Sequence, residues 1–200
     1  MRTILALCAA LLCSGCAFTT ATIDVPYQSI TTPTAVAGAP GVTVQVAVTD
    51  GRTTHQDRVG SKRNGYGMET APIIASNDLP STIQSAFAQE LTSRGFKIGA
   101  NGATLNVQLV QFYNDFEAGM FSGTATATVA FNTSITAAGN HIVFSRYYSG
   151  TGVNPDIQLA DGDNAQVALI KAFQDAVASA INDPAFINGL IAAGAVAPGT

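Results

Sequence analysis

The residues best suited to chemistry in this 200-residue sequence are few and scattered. Asp115 and Glu117 stand two apart, which on a strand aims both carboxylates at one side, the pairing that general acid–base catalysis uses. No third polar group lies near them in sequence, so a solvated strand terminus accounts for both. Gly60-Ser-Lys-Arg-Asn-Gly65 has the glycine spacing of a phosphate-binding loop, but Tyr66 and Gly67 occupy the positions that need Lys and Ser/Thr. Asp161-Gly-Asp163-Asn164 opens like a calcium loop without the later ligands or the terminal Glu, and reads instead as a helix N-cap. His55 and His141 are the only two histidines, and a metal site would need a convergent third ligand. Cys8, Cys13 and Cys16 all fall in the first sixteen residues, which leaves no downstream thiol nucleophile, zinc knot or disulfide. Gly-x-Ser-x-Gly and HExxH are absent, and no dinucleotide fingerprint follows the first strand. The expectation is a chain with no catalytic residues, no metal and no cofactor.

One cluster does stand out. Arg52, Arg58, Lys62 and Arg63 are four of the eight basic residues that follow Arg2, and all lie between Asp50 and Pro72 beside Tyr66 and three glycines. The chain as a whole is acidic, with a formal charge of -4 and a pI near 4.9, which excludes a nucleic-acid binder. A local basic surface in such a chain suits an anionic envelope component or an acidic partner. Charged loops are also commonly just solvated, and Asp57 and Glu69 dilute this one. Arg52, Arg58, Lys62, Arg63 and Tyr66 are thus the candidate partner contacts.

The elements that hold these residues begin after an address. Arg2 supplies a positive start and residues 4–12 an apolar stretch too short to span a bilayer but right for secretion. Ser14-Gly15-Cys16 closes it as a lipobox does, with Cys13 where leucine is usual. Residues 1–15 are therefore expected to be a lipoprotein signal peptide and Cys16 the acylated N-terminus of the mature chain. Ala17, rather than aspartate, follows the cysteine, which by resemblance to enterobacterial sorting favours the outer membrane. No later run of eighteen apolar residues exists to make a transmembrane helix. Residues 16–41, rich in Thr, Ala and Pro, read as a flexible, semi-extended tether.

A single domain is expected over 42–194, with 195–200 frayed. Hydrophobic residues at 47% and charged ones at only 11% demand a packed core. Residues 42–49 alternate valines with polar residues as a half-buried strand does. Asp78 and Pro80 open a helix whose stripe is Leu79, Ile83, Phe87 and Leu91, and Gly95-Phe96 closes it as a Schellman cap does. Two further strands set Leu105, Val107, Leu109 and Ala125, Ala127, Val129, Phe131 against Thr, Asn and Gln. A fourth spans 141–149, with its faces unassigned. A long helix starts near Asp163, and Asp183-Pro184 breaks it into a short third one. Strands apolar on one face and polar on the other belong to a sheet covered on one side. The expected fold is α+β, a two-layer sandwich: about four strands in a mixed sheet (β-α-β-β-β-α), two main helices on one face and a short C-terminal helix. Small Ala125 and Ala127 would let a helix approach closely.

The order of lipobox, tether, Val-x-Val-x-Val strand ending in Asp50-x-Arg52, Ala75-Ser76-Asn77-Asp78-Leu79, Arg94-Gly95-Phe96 and a C-terminal amphipathic helix resembles the YajG family of bacterial lipoproteins. That resemblance covers nearly the whole mature chain and implies no catalytic residues. The function expected is a lipid-anchored lipoprotein on the periplasmic face of the outer membrane, held by acylated Cys16. It would act as a non-catalytic interaction or scaffold module with an envelope protein partner. The alternative is a binding module for a small envelope ligand, a glycan or lipid fragment.

Overall fold

The fold is taken from a computed structural model that describes residues 18–30, 32, 34–118, 122–138 and 140–195. The signal peptide, Cys16 and the tail 196–200 lie outside the described residues. Among those described, eight strands and three α-helices follow the order β1 (Ala21–Ile23), β2 (Thr43–Asp50), β3 (Gly60–Arg63), β4 (Glu69–Ala75), α1 (Leu79–Ser93), β5 (Lys97–Ile98), β6 (Ala103–Ala118), β7 (Gly123–Ala137), β8 (His141–Ile157), α2 (Gly162–Ile181) and α3 (Pro184–Ala195). The class is α+β with a mixed sheet, as expected, but the sheet has eight strands rather than about four.

β6 is its axis. Along one side β6 pairs in parallel with β2, from Val44 opposite Ala103 to Asp50 opposite Leu109. Further along that side Gly60 of β3 stands opposite Asn114. β4 runs antiparallel to β3, and β1 pairs in parallel with β4. On its other side β6 pairs antiparallel with β7, and β7 with β8, whose outer edge has no strand partner among the described residues.

A bulge explains why β6 shows its alternation only in part. Leu109 pairs with Phe131 and Gln111 with Ala130, so Val110 is an extra residue. The buried positions accordingly switch from Ala103, Leu105, Val107 and Leu109 to Phe112, Asn114 and Phe116. The inward face of β8, which pattern left open, carries Phe144, Tyr148, Gly150 and Gly152.

All three helices cover this inward face. Phe87 of α1 meets Phe131 edge-on at 5.7 Å, Phe173 of α2 meets Phe112 at 5.9 Å, and Phe186 of α3 meets Phe144 at 6.0 Å. α1 is capped as expected: Asp78 accepts from the Ser81 amide at 2.9 Å, and Phe96 N–H reaches Leu91 O at 3.1 Å with Gly95 at φ +96°. Ala125 and Ala127 are fully buried on β7, and beside them on β8, where Ala127 pairs with Gly152, the α2 backbone comes closer still. A Cβ on Gly152 would lie 2.0 Å from Ala168 O, and one on Gly150 2.2 Å from the Ala176 nitrogen. Only glycine lets the α2 backbone rest there. No single described helix is long and apolar enough to cross a membrane, and α2 and α3 bend by 58° at their junction.

Two segments depart from the sequence reading. The stretch expected to be a tether is packed: Val25 and Ala39 are fully buried, and β1 lies within it. Asn77 grips Val25 at both its N–H (3.0 Å) and C=O (3.2 Å), Gln174 donates to Gln28 O at 2.9 Å, and the Tyr27 ring sits 5.2 Å from Phe173. An extended segment held by side-chain amides on neighbouring elements leaves no periodic apolar trace, so composition alone suggested a linker. The stretch Asp50–Pro72, read as one long polar connection, contains β3 and most of β4. β3 is only four residues, Gly-Ser-Lys-Arg, and its partner carries Pro72, which reads as a strand breaker. The β1–β4 ladder begins at Ala21 opposite Ile73, the residue after that proline, which has no N–H to offer a ladder.

Candidate interaction surfaces

The basic segment divides into residues with internal duties and residues that face outward. Arg52 is 6% exposed, and its guanidinium donates to Asp50 through Nε (3.0 Å) and Nη2 (2.8 Å), to His55 O (3.0 Å), Arg58 O (3.3 Å) and Gln56 O (3.1 Å). It is the staple of loop 51–59, and the Asp50-x-Arg52 spacing was its signal. The hydrogen bond from Arg52 holds the Asp50 carboxyl below the usual carboxylate range against an opposing push from burial. Arg58 pairs with its neighbour Asp57 at 2.8 Å. Arg63 donates to Gly67 O at 2.9 Å and bridges Asp115 (2.9 Å) and Glu69 (3.5 Å), tying the hairpin tip to β6. Lys62 is half-buried on β3. Tyr66 alone is fully displayed, 91% exposed at the tip. The turn that carries it is built: Asn64 Oδ1 accepts from both Tyr66 N and Met68 N at 3.0 Å, and Gly67 takes φ +79°.

The other sequence motifs resolve in the same way. Asp115 and Glu117 do share the outward side of β6, but Asp115 is committed to Arg63. Gly60–Gly65 enters a β-hairpin rather than a helix. Asp161 caps α2, accepting from the Asn164 amide at 3.1 Å. Among the described residues no group of three His, Cys, Asp or Glu is placed to hold a metal.

The outward face of β6, β7 and β8 is mostly polar, with Ile142, Tyr147 and Val153 as its exposed apolar residues, and bears no helix. Its rows include Asn106, Gln108 and Gln111 on β6, Thr126, Thr128, Asn132 and Ser134 on β7, and Ser145, Tyr147 and Ser149 on β8. The Asn106 amide donates to Thr136 at 3.2 Å and that of Asn132 to Gln108 at 3.4 Å, so part of the face is cross-linked between strands. A trough of about 340 Å³ runs over it, flanked by Ile142. A second cavity of about 510 Å³ lies at the end of the sheet where β2 and β6 begin. Gly41, Thr43, Asn101, Gly102, Ala138 and Gly194 line it, small side chains with no aromatic among them.

Behind this face, Asp183 joins the covering layer to β8. Arg146 reaches it at 2.5 Å, the Tyr148 hydroxyl donates to it, and it accepts from Ala185 N at 2.9 Å to start α3. Burial works to raise its pKa, but the Tyr148 bond, the Ala185 amide and the Arg146 charge outweigh that and hold it below the usual range.

A mixed sheet covered on one face by three helices and bearing none on the other defines a small α+β domain. Residues 29–190 match the model of a family described as "Uncharacterized lipoprotein", and the chain belongs to that family. A crystal structure of a Xanthomonas campestris protein of family DUF330 shares the fold, with a TM-score of 0.58 at 13% identity over 86% of this chain and 96% of that one. A minor lipoprotein from Acinetobacter baumannii matches with a TM-score of 0.41 at 7% identity, covering 68% of this chain and 84% of its own. A comparison with curated proteins gives no match.

Proposed function

We propose that this lipoprotein is a YajG-like, non-catalytic docking module, acylated on Cys16, held on the periplasmic face of the outer membrane, and presenting its open sheet face to an envelope protein. The observation that carries this reading is the asymmetry of the sheet. One side buries the large aromatics of the core beneath three helices, while the other bears no helix and shows strands of 15 to 17 residues rich in hydroxyls and amides, with loop 51–59 touching it only at β6, where His55 stacks on Tyr113. Such rows offer directional hydrogen bonds and little apolar area, which suits a reversible protein contact. The basic segment contributes less than its composition suggests, because Arg52 and Arg63 spend their donors internally. Membership of a lipoprotein family supports the anchor.

Photo-crosslinkers placed at Thr128 and Asn132 in the membrane-bound protein, with Gln174 on α2 as the control, test it. A discrete protein adduct from the sheet positions and none from Gln174 is the expected result. Adducts only to glycan or lipid fragments would favour the small-ligand alternative instead.

A further inference from the structure

Strand directions place four exposed apolar side chains at one end of the molecule. β1 and β4 are parallel, with Ala21 opposite Ile73, so the chain preceding Ala21 leaves the sheet on the side of the β3–β4 hairpin tip. β3 runs parallel to β6 and β8 antiparallel to β7, so β3, β6 and β8 all finish at that same end. Arg63 closes it by bridging to Ala160, next to Leu159. Phe18 is 69% exposed there, Tyr66 91%, Met68 59% and Leu159 66%. These residues come from three separate stretches of chain, and the tip that carries Tyr66 and Met68 is held rigid by Asn64 and Arg63.

The position of the acylated residue gives this end its occupant. Cys16 is two residues from Phe18, at most about 7 Å of extended chain. We infer that this end stands on the bilayer surface, with Phe18, Tyr66, Met68 and Leu159 seated among the lipid headgroups, so that the sheet rises away from the membrane instead of swinging from its anchor. The inference rests on the lipid anchor of the proposed function. Aromatic and thioether side chains suit the interfacial zone, where an apolar body and a polar tip are both accommodated. The charge at this end selects the surface. Lys62 and Arg63 are outnumbered by Glu69, Asp115, Glu117 and Asp156, so a zwitterionic lipid is the fit and an anionic one is disfavoured.

The mature sequence has no cysteine after Cys16, which permits a single environment-sensitive fluorophore. Gly65→Cys is the probe site, since a Cβ there meets nothing within 4 Å. His141→Cys is the control, at the far end of β8 and roughly 50 Å away for a 17-residue strand. The chain is studied on phosphatidylcholine vesicles containing nitroxide-quencher lipid, once with native acylation and once as residues 17–200 held by an N-terminal histidine tag on chelating lipid, so that position 65 or 141 is the one free thiol in each form. Expected are a blue shift and quenching at 65 but not at 141, in both forms. Both signals should be lost when Phe18, Tyr66, Met68 and Leu159 are all changed to Ser, and weakened by phosphatidylglycerol. Equal responses at 65 and 141, or undiminished quenching in the fourfold variant, would overturn the inference. Mass spectrometry of the N-terminus reports separately on the anchor: an unmodified Cys16 with position 65 still quenched on chelating lipid defeats the lipidation reading and leaves the docking end standing.

Discussion

The two faces of one sheet obey opposite rules. On the covered face each strand position is fixed by what lies over it: Val129, Phe131 and Ile135 are fully buried, and β8 has no side chain at 150 and 152 because α2 occupies that space. On the open face the same strands carry Thr, Asn, Gln and Ser, with Asn132 exposed and Thr126 and Thr128 half-buried. Packing density makes the first face intolerant of single-methyl changes, whereas solvent and cross-strand bonds leave the second adaptable.

That contrast can be broken most directly at Gly152. Gly152→Val would drive a side chain into the α2 backbone, and a loss of about 4 kcal/mol or more, enough to unfold a marginal domain, is expected in urea denaturation. Near-normal stability would mean that α2 does not rest on β8. Asp183→Asn tests the link between the layers at a smaller scale, about 1–2 kcal/mol at neutral pH, read from the urea midpoint. Because the folded carboxyl lies below its ordinary pKa, its contribution is complete above roughly pH 4–5 and is lost as pH falls through the folded value. The gap between wild type and variant should therefore narrow at pH 3, and a gap that widened there would refute the assignment.

Asn114 is the misfit on the covered face: it is fully buried, yet its amide makes no hydrogen bond with protein groups. Asn114→Leu should raise stability by about 1 kcal/mol, measured by thermal unfolding, since an apolar side chain of similar size suits its neighbours Phe112 and Phe116. A fall in melting temperature would show that the amide is satisfied after all. The smallest effect is expected on the open face. Thr126 stands opposite Asp115, so Thr126→Lys should shift stability by less than about 0.5 kcal/mol, whereas an Asp there would meet a like charge. A large loss from the lysine variant would mean that this face is covered too.

The elements legible in the sequence were those whose own residues carry a period or a cap. α1 was readable from Asp78, Pro80 and its four-residue stripe, and β2 from its valines. The early part of β6 could be read, but its later part could not, because the bulge at Val110 reverses which side is buried. Among the candidate contacts, Tyr66 is 91% exposed. Arg52 is buried, and only the three-dimensional closure of loop 51–59 brings the carbonyls of His55, Gln56 and Arg58 around its guanidinium. The apolar end formed by Phe18, Tyr66, Met68 and Leu159 carried no sequence signal, since its members come from distant segments and each alone is an ordinary exposed hydrophobe.

What the sequence determined by itself was local: the amphipathic stripes, the caps at Asp78 and Asp161, the helix break at Asp183-Pro184 and the division of strand faces into apolar and polar. These follow from the 3.6- and 2-residue periods and from backbone groups satisfied within a few residues, so they need no distant partner. Only the tertiary structure decided that residues 21–28 and 36–41 pack rather than dangle, that a four-residue polar strand joins the sheet, and that β8 must be glycine at 150 and 152 beneath α2. Each of these depends on hydrogen bonds or clearances between residues well apart in sequence, such as Val25 with Asn77, 52 positions away, and Gly152 with Ala168, 16 away. A window of one or two helical turns contains one member of such a pair and not the other.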